Sequence, residues 1–422
     1  MSVTAAYSGA IETIPARGIR FADKYQRIVN IAVWIFVATA AISLVEPSPY
    51  DFTFFLAIPL WAFGGFTIHR SFVAPYFLLV GYTILGYLAV VPYWSEAGSA
   101  LFEYQSTYLT ATGLFYALFL AERTFTRAEL ILNAYAFGAF VAAVCAVLGY
   151  FNVGGLGSVF SLYGRASGTF KDPNVLGSYI ILGELYLMQS LLLGRARFPP
   201  LTLVVLFVIV AGIFLSFSRG SWGATMVSTL LMIGSAFATT HSGKMRKRIA
   251  TFTFIAVGLA ALVVLGLLSN PSTHDFFLQR AALTQDYDAG ETGRFGNQLH
   301  SLPMLLERFM GFGPQRFRVY FGLDPHNSYI GAFADGGWLG GLLNIFIVGV
   351  TSFVGFRLMF KDSPYQRLAQ VYFPALLVFY LQAFQIDIDH WRHVYIMLGS
   401  VWGLEAARRK WAATEAQRRA SV

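Results

Sequence analysis

Long apolar runs recur along this chain and are separated by polar connections. A helix that crosses a membrane needs about 20 consecutive apolar residues, with a range of roughly 17 to 25. Twelve runs approach that length, at residues 28–45, 52–68, 72–91, 106–121, 129–151, 174–193, 199–217, 220–238, 249–268, 338–355, 369–385 and 391–407. The pattern predicts an all-α polytopic membrane protein with about 12 transmembrane helices and no separate soluble domain.

Basic residues are distributed unevenly between the two sides of this predicted bundle. If the chain starts in the cytoplasm, 21 of its 30 Lys and Arg residues fall on the cytoplasmic side. Because basic loops stay in the cytoplasm, we expect both termini inside. Residues 1–422 then form one membrane domain, with residues 1–27 and 408–422 as cytoplasmic tails.

Two connections on the outer side are long, at residues 152–173 and 269–325. A connection of more than fifty residues is seldom a plain linker, so we expect the chemistry on this side. Within the second loop, apolar residues spaced by four and three predict an amphipathic helix over residues 294–310, lying on the outer membrane surface. Its apolar face comprises Phe295, Leu299, Leu302, Leu306 and Phe309, and its other face Arg294, Ser301 and Arg308.

The composition narrows the class of protein further. Hydrophobic residues make up 56% of the chain and charged residues 12%, with a mean hydropathy of +0.58, which excludes an ordinary soluble domain. The net charge of +8 is spread between apolar runs, so it reflects topology and does not indicate a nucleic-acid partner. The single cysteine, Cys145, can form neither an internal disulfide nor a multi-thiolate metal site.

Nine basic residues lie on the outer side, where they are not expected: Arg165, Lys171, Arg219, Arg280, Arg294, Arg308, Arg316, Arg318 and Arg392. The planar guanidinium group suits phosphate and carboxylate recognition, and several converging on one pocket would hold a pyrophosphate. Arg219 is the most distinctive, because it lies in a very short connection between two apolar runs at the membrane edge. An arginine that only extends to the outer headgroups is an equally good interpretation of Arg219 by position alone.

A candidate general base follows the long loop. Asp324 and Pro325 are typical of an N-cap and a first helical residue, which predicts that His326 lies in the first turn of the next helix. There the helix dipole disfavours imidazolium, so we expect a neutral ring able to accept a proton from a sugar hydroxyl. Alternatively, these residues serve only as capping chemistry.

Other polar residues give weaker predictions. Asp172 and Pro173 also read as a helix start, which would hold the neighbouring Lys171 at the membrane surface. Glu184, near mid-membrane, is either a functional carboxylate or a buried neutral one. The pairs Asp286 with Asp288 and Asp387 with Asp389 are interpreted as surface residues, and we expect no metal site.

Three blocks together carry a resemblance to a known family: "GTFKDPNVLG", "SFSRGSWGA", and "GFGPQRF" followed by "PHNSYIGAFADGGWLGG". In this order, over roughly residues 163–340, they resemble the O-antigen ligase and O-antigen polymerase superfamily of bacterial envelope glycosyltransferases. The resemblance implies a GT-C-like fold in the bacterial inner membrane, acting at the periplasmic face without metal or cofactor and with inversion of the anomeric centre.

The resemblance also implies substrates and residue roles. The donor would be a glycan linked through pyrophosphate to undecaprenol, and the acceptor a sugar hydroxyl on lipid A core or on a second lipid-linked glycan. Arg219 and Arg294 resemble the donor-pyrophosphate arginines, and His326 the histidine that activates the acceptor. Weaker candidates for the phosphate site are Arg165, Arg280 and Lys171, and supporting candidates are Asn327, Asn174 and Asp324.

Two questions stay open at the level of sequence. Ligase and polymerase differ only in the acceptor, and these blocks do not decide between them. A polytopic transporter or flippase of lipid-linked glycans is the alternative class. We find no internal repeat of the kind that many transporters show, and one large outer loop rich in arginine favours catalysis on one side.

Overall fold

The structure is a computed structural model that describes residues 16–281, 290 and 293–421, and these residues are almost entirely helical. The helices are α1 (Ala16–Thr39), α2 (Pro49–Phe63), α3 (Val73–Val90), α4 (Ala97–Leu120), α5 (Thr124–Tyr150), α6 (Gly157–Phe160), α7 (Pro173–Tyr179), α8 (Ile181–Leu192), α9 (Pro199–Leu215), α10 (Arg219–Ala238), α11 (Gly243–Leu268), α12 (Pro271–Ala281), α13 (Arg294–Glu307), α14 (Phe317–Phe321), α15 (Ser328–Phe360), α16 (Gln366–Gln382) and α17 (Arg392–Ala420). A short antiparallel hairpin joins β1 (Ser161–Leu162) to β2 (Arg165–Ala166) in the first long connection.

Each predicted apolar run falls on a helix of the structure. Within the described residues, six helices are long and apolar enough to cross a membrane, and the apolar α9 is shorter. The prediction of a polytopic, all-α membrane protein is therefore confirmed in outline, and the number twelve stays a prediction. Helix α11 has a mean hydropathy of 2.5 over its most apolar window, of which 6% is buried within the protein, as expected for a helix that faces lipid.

The core lies where α4 packs along α17. A Cβ atom added at Gly399 would lie 2.2 Å from the carbonyl oxygen of Gly113, and one at Gly403 would lie 2.7 Å from the Cβ of Leu120. Glycine at these two positions lets the two helix backbones approach closely, as small residues do in membrane bundles. This contact fixes the start of α17, next to the site described below.

Helix α15 begins between the helix start predicted at Pro325 and the apolar run predicted at residues 338–355. The apolar run was predicted to start at residue 338, but the helix starts at Ser328 and is interrupted at Gly337, whose φ of 65° and ψ of −166° are not helical. A residue of the loop before α15 supplies a hydrogen-bond acceptor at the interruption: the Trp338 amide donates to the Phe309 carbonyl oxygen at 2.9 Å. Seven of the first ten residues of α15 are glycine, alanine, serine or aspartate, so this part of the helix does not belong to the apolar run.

Candidate active site

A cavity of about 830 Å³ lies among the ends of several helices, on the side that the sequence predicts to face outward. Four arginines line it: Arg165, Arg219, Arg280 and Arg294. Its other polar walls are Asn174, Ser178, Ser218, Gln279, Gln382 and Gln385. Four of the five residues proposed for a phosphate site, with Asn174, therefore come together in one place, although they are separated by up to 129 positions along the chain.

The β hairpin and the start of α7 position Arg165. This buried side chain donates from Nε to the Ser216 carbonyl oxygen at 2.8 Å and from Nη2 to Asn174 Oδ1 at 2.7 Å. Asn174 is fixed in turn, since its amide donates to the Asp172 side chain at 2.6 Å. The predicted helix start at Asp172 and Pro173 is confirmed. It positions Asn174, which accepts the hydrogen bond from Arg165.

Arg219 is the first residue of α10, directly after the N-cap Ser218. The chain reverses between α9 and α10 through Phe217, whose φ is 47°, and the Ser221 amide donates to the Ser218 side chain at 3.3 Å. The helix amino terminus carries a partial positive charge from its aligned peptide dipoles. Arg219 and the start of α10 therefore present positive charge to the cavity together.

Arg280 and Arg294 come from the large loop. Arg280 lies in the last turn of α12, and Arg294 opens α13 and donates from Nη1 to the Gln385 carbonyl oxygen at 3.3 Å. Most of the segment between them, including Asp286 and Asp288, lies outside the described residues. The two arginines reach the cavity from α12 and α13, whereas Arg165 reaches it from the β hairpin.

Helix α13 is amphipathic with its polar face turned inward. Asn297, Gln298 and Ser301 are buried against the protein, whereas the five predicted apolar residues, Phe295, Leu299, Leu302, Leu306 and Phe309, are between 44% and 67% exposed. A helix with this arrangement is typical of the membrane interface, where lipid covers the apolar face. The predicted amphipathic helix is confirmed, but Arg308 does not share a face with Arg294, because the helix ends at Glu307.

The remaining basic residues predicted on the outer side form ion pairs or ring contacts and do not line the cavity. Lys171, a predicted phosphate ligand, is half-exposed, forms an ion pair with Glu46 at 3.2 Å and does not line the cavity. Its assignment is not supported by the geometry, because its ammonium group pairs with Glu46 outside the cavity lining. The other four contact carboxylates or aromatic rings: Arg316 pairs with Glu96, Arg318 with Asp324, Arg392 with Asp51, and Arg308 lies over Tyr320.

His326 lies before the helix that was predicted to contain it. Asn327 is the N-cap of α15, and its Oδ1 accepts hydrogen bonds from the Tyr329 and Ile330 amides at 3.1 Å. The prediction of an Asp324 cap is wrong, because the Asp324 carboxylate accepts two hydrogen bonds from Arg318 instead. His326 therefore stands outside the first helical turn, with a φ of 46°.

A carboxylate that the sequence analysis missed faces His326. Asp387 Oδ2 lies 3.5 Å from His326 Nδ1, and Asp387 Oδ1 accepts the Asn327 amide at 3.0 Å. Burial raises the pKa of Asp387, and the hydrogen bond with His326 partly offsets that rise. The interpretation of Asp387 as a surface residue is wrong. Its spacing from Asp389 carried no periodicity that could have revealed the contact.

Asp389 is also engaged, in a second pair. Its carboxylate lies 2.9 Å from His390 Nδ1, and His390 Nε2 lies 3.2 Å from Ser106 Oγ. The hydrogen bond from His390 lowers the pKa of Asp389 despite burial, which acts in the opposite direction. Both aspartates thus belong to the short segment between α16 and α17, whose first residues also line the arginine cavity.

The cavity and His326 are connected through the chain before Asp387 and through one hydrogen bond from α13. Gln385 and Ile386 line the cavity, and Asp387 follows them in sequence. Gln298, one turn after Arg294 on α13, donates to the Pro325 carbonyl oxygen at 2.9 Å. The histidine is therefore held beside the cavity wall by the same helix that carries Arg294.

Two further predictions concern residues away from this cavity. Glu184 is buried in α8 and accepts hydrogen bonds from Thr229 Oγ1 at 3.3 and 3.2 Å, and it does not line the cavity. Within the part of the chain that the structure describes, no group of three or more His, Cys, Asp or Glu residues could hold a metal ion.

Comparison with known proteins gives one match. A sequence model of the family described as O-antigen ligase matches residues 204–345, about a third of the chain, and this segment contains three of the four cavity arginines and His326. No curated protein and no solved structure matched. The chain has the apolar helices of an integral membrane protein, and its residues 204–345 are similar to the O-antigen ligase family of membrane glycan-processing enzymes.

Proposed function

We propose that this protein is a metal-independent, inverting glycosyltransferase of the bacterial inner membrane, with both termini in the cytoplasm. It moves a glycan from undecaprenyl pyrophosphate to a sugar hydroxyl at the periplasmic face. The observation that carries the proposal is the convergence of Arg165, Arg219, Arg280 and Arg294 on one cavity. Four guanidinium groups suit the two phosphates of a pyrophosphate diester, each of which offers oxygens for forked hydrogen bonds.

The cavity also fits the lipid part of such a donor. Val227, Val378 and Leu381 line it beside the arginines, and the apolar face of α13 points away from the protein at its edge. A polyprenyl pyrophosphate has a charged head and an apolar tail. The head would occupy the arginine cavity, and the tail would leave along the apolar wall into the lipid.

The acceptor chemistry is assigned to His326. With Nδ1 directed at Asp387, the ring carries its proton on that nitrogen and presents Nε2 as the base. His326 takes the proton from the acceptor hydroxyl as its oxygen forms a bond to the anomeric carbon. The bond between that carbon and the pyrophosphate oxygen breaks, and undecaprenyl pyrophosphate leaves with the electron pair. The arginines stabilise the negative charge that develops on the leaving group.

Purified protein in vesicles, supplied with undecaprenyl-pyrophosphate glycan and an acceptor glycan, tests this proposal. We expect a new glycosidic bond, and we expect His326→Ala and Arg219→Ala to abolish it. Lys171→Gln is the matched control, because Lys171 is an outer basic residue that pairs with Glu46 away from the cavity. If no bond forms, or if the two alanine variants restore glycan assembly in a deletion strain, the enzyme assignment fails and the transporter or flippase alternative gains support.

Glycan analysis of the deletion strain decides between the two acceptors. Long unattached chains that accumulate on the carrier lipid indicate a ligase, with lipid A core as the acceptor. Single repeats that remain attached to the core indicate a polymerase of O-antigen or exopolysaccharide. The cavity geometry is common to both, because each reaction releases the same leaving group.

A further inference from the structure

A second cavity, of about 470 Å³, lies at the opposite end of the bundle. Its walls are the start of α5, Tyr365 before α16, and the part of α17 from Ala407 to Arg418. Helix α5 runs from this cavity to Tyr150, whose hydroxyl contacts Thr273 of α12 at 3.0 Å beside the active site. At 1.5 Å per residue the two cavities are separated by about 40 Å.

Positive charge dominates this second cavity. Arg123, Lys410 and Arg418 line it, and Glu415, which pairs with Arg418 at 3.3 Å, is the acidic residue among its described walls. Arg123 has an exposed side chain for which the described residues offer no hydrogen bond or ion pair, and its φ of 48° places it in the left-handed region. A non-glycine residue is uncommon in that region and is held there by its surroundings.

The amino terminus of a long helix opens into the same cavity. Thr124, Phe125 and Thr126 are the first residues of α5 and line the cavity, and Arg123 at the N-cap position makes no side-chain capping hydrogen bond. The first turn contains no acidic residue. A helix of 27 residues with this terminus presents backbone amides and a partial positive charge, which together attract an anion.

Aromatic side chains border the basic residues. Phe125 is half-exposed and packs on Tyr365 with ring centroids 5.2 Å apart, and Trp411 lies beside Lys410. Aromatic rings next to basic residues are typical of the boundary between headgroups and hydrocarbon. The cavity therefore combines an anion-binding wall with a lipid-facing rim.

We infer that this cavity binds the phosphate headgroup of an anionic phospholipid, so that one lipid is held between the start of α5 and the end of α17. Basic pockets between membrane helices at the cytoplasmic side bind anionic lipid headgroups. An anionic lipid is favoured over a soluble phosphate because the cavity lies at the end of the spanning helices with apolar rings at its rim. The inference is independent of the proposed reaction, since among the described residues the lining of this cavity and that of the arginine cavity have no member in common.

Native mass spectrometry of the full chain in neutral detergent tests the inference, with titration of phosphatidylglycerol, phosphatidylcholine and inorganic phosphate. We expect one phosphatidylglycerol molecule to remain bound, with at least tenfold preference over phosphatidylcholine. Arg123→Gln should reduce the preference several-fold, and Arg123→Gln with Lys410→Gln should abolish it. Arg195→Gln with Lys361→Gln is the matched control, because it removes two exposed charges outside the cavity.

Each alternative result overturns the inference. Equal retention of the two lipids would mean that the cavity does not recognise the headgroup. Binding of inorganic phosphate without binding of phosphatidylglycerol would identify a soluble anion instead. Lys410 also contacts the Ala121 carbonyl oxygen at 3.5 Å, so the double variant could lose stability. The single Arg123 variant removes no described side-chain hydrogen bond and keeps the test decisive.

Discussion

Replacing Asp387 with asparagine tests how the candidate base is held. The imidazolium that forms at His326 during proton transfer lies 3.5 Å from the Asp387 carboxylate. The attraction between two unit charges at that distance is about 1 kcal/mol in bulk water and about 5 kcal/mol at an effective dielectric constant of 20. Because roughly a third of each side chain is exposed, solvent screens the pair and we expect an intermediate value, about 1.5 to 3 kcal/mol.

This energy applies to the transition state, so the effect should fall on kcat. We expect Asp387→Asn to lower kcat by about 10- to 150-fold, with little change in the KM for the donor, whose binding is proposed to depend on the arginines. Purified protein in vesicles, assayed for glycosidic bond formation over a range of donor concentrations, measures kcat and KM separately.

Asp275→Asn serves as the control for Asp387→Asn, because Asp275 is a largely exposed carboxylate on α12 at the same end of the molecule. It should leave kcat and KM unchanged. A variant at Asp387 with kcat within twofold of the parent, while His326→Ala is inactive, would refute the idea that this carboxylate assists the base. A lower kcat accompanied by a comparable rise in the KM for the donor would point to a purely structural role.

Three further outcomes follow from the geometry. Arg219→Lys should lower kcat/KM by roughly 10- to 30-fold, because a single ammonium group cannot make the forked contact and loses about 1.5 to 2 kcal/mol. A change of only twofold would contradict this expectation. Lys171→Arg is the control. In a Cys145→Ser background, a spin label at Leu299→Cys should be relaxed by oxygen rather than by a water-soluble nickel chelate. A spin label at the exposed His300→Cys should be relaxed by the nickel chelate rather than by oxygen. Equal relaxation of the two labels would contradict the interfacial position of α13. Gly399→Ala should lower the free energy of unfolding by about 1 to 3 kcal/mol, because its Cβ would meet the Gly113 carbonyl oxygen at 2.2 Å, whereas Gly258→Ala, with open space around it, should not.

The sequence predicted the helices well because their signal is local. An apolar run long enough to span a bilayer must satisfy its backbone hydrogen bonds internally, so each such run becomes a helix whatever its neighbours are. The break at Gly337 was missed for the complementary reason. It depends on the Phe309 carbonyl oxygen accepting the Trp338 amide, a contact between residues 29 positions apart.

The site was predictable only in part, because the type of a residue determines which groups it can bind but not which of its neighbours it binds in the fold. Four of the five phosphate candidates, all of them arginines, line one cavity. The fifth, Lys171, pairs with Glu46 and does not line the cavity. The dipeptide of Asp324 and Pro325 is typical of a helix N-terminus, but Asp324 forms an ion pair with Arg318, and Asn327 is the N-cap of α15. Which of several neighbouring donors binds a carboxylate is decided by the tertiary fold.

The burial pattern of α13 links the large loop to the choice of donor. Arg294 faces the cavity, and the next residue, Phe295, lines the cavity and also starts the exposed apolar face. The boundary between polar cavity and hydrocarbon therefore passes between two adjacent residues. A lipid-linked pyrophosphate changes from charge to hydrocarbon within a single ester bond, so it matches this boundary. A soluble nucleotide sugar would leave the apolar wall in contact with water, which argues for a donor that arrives from within the membrane.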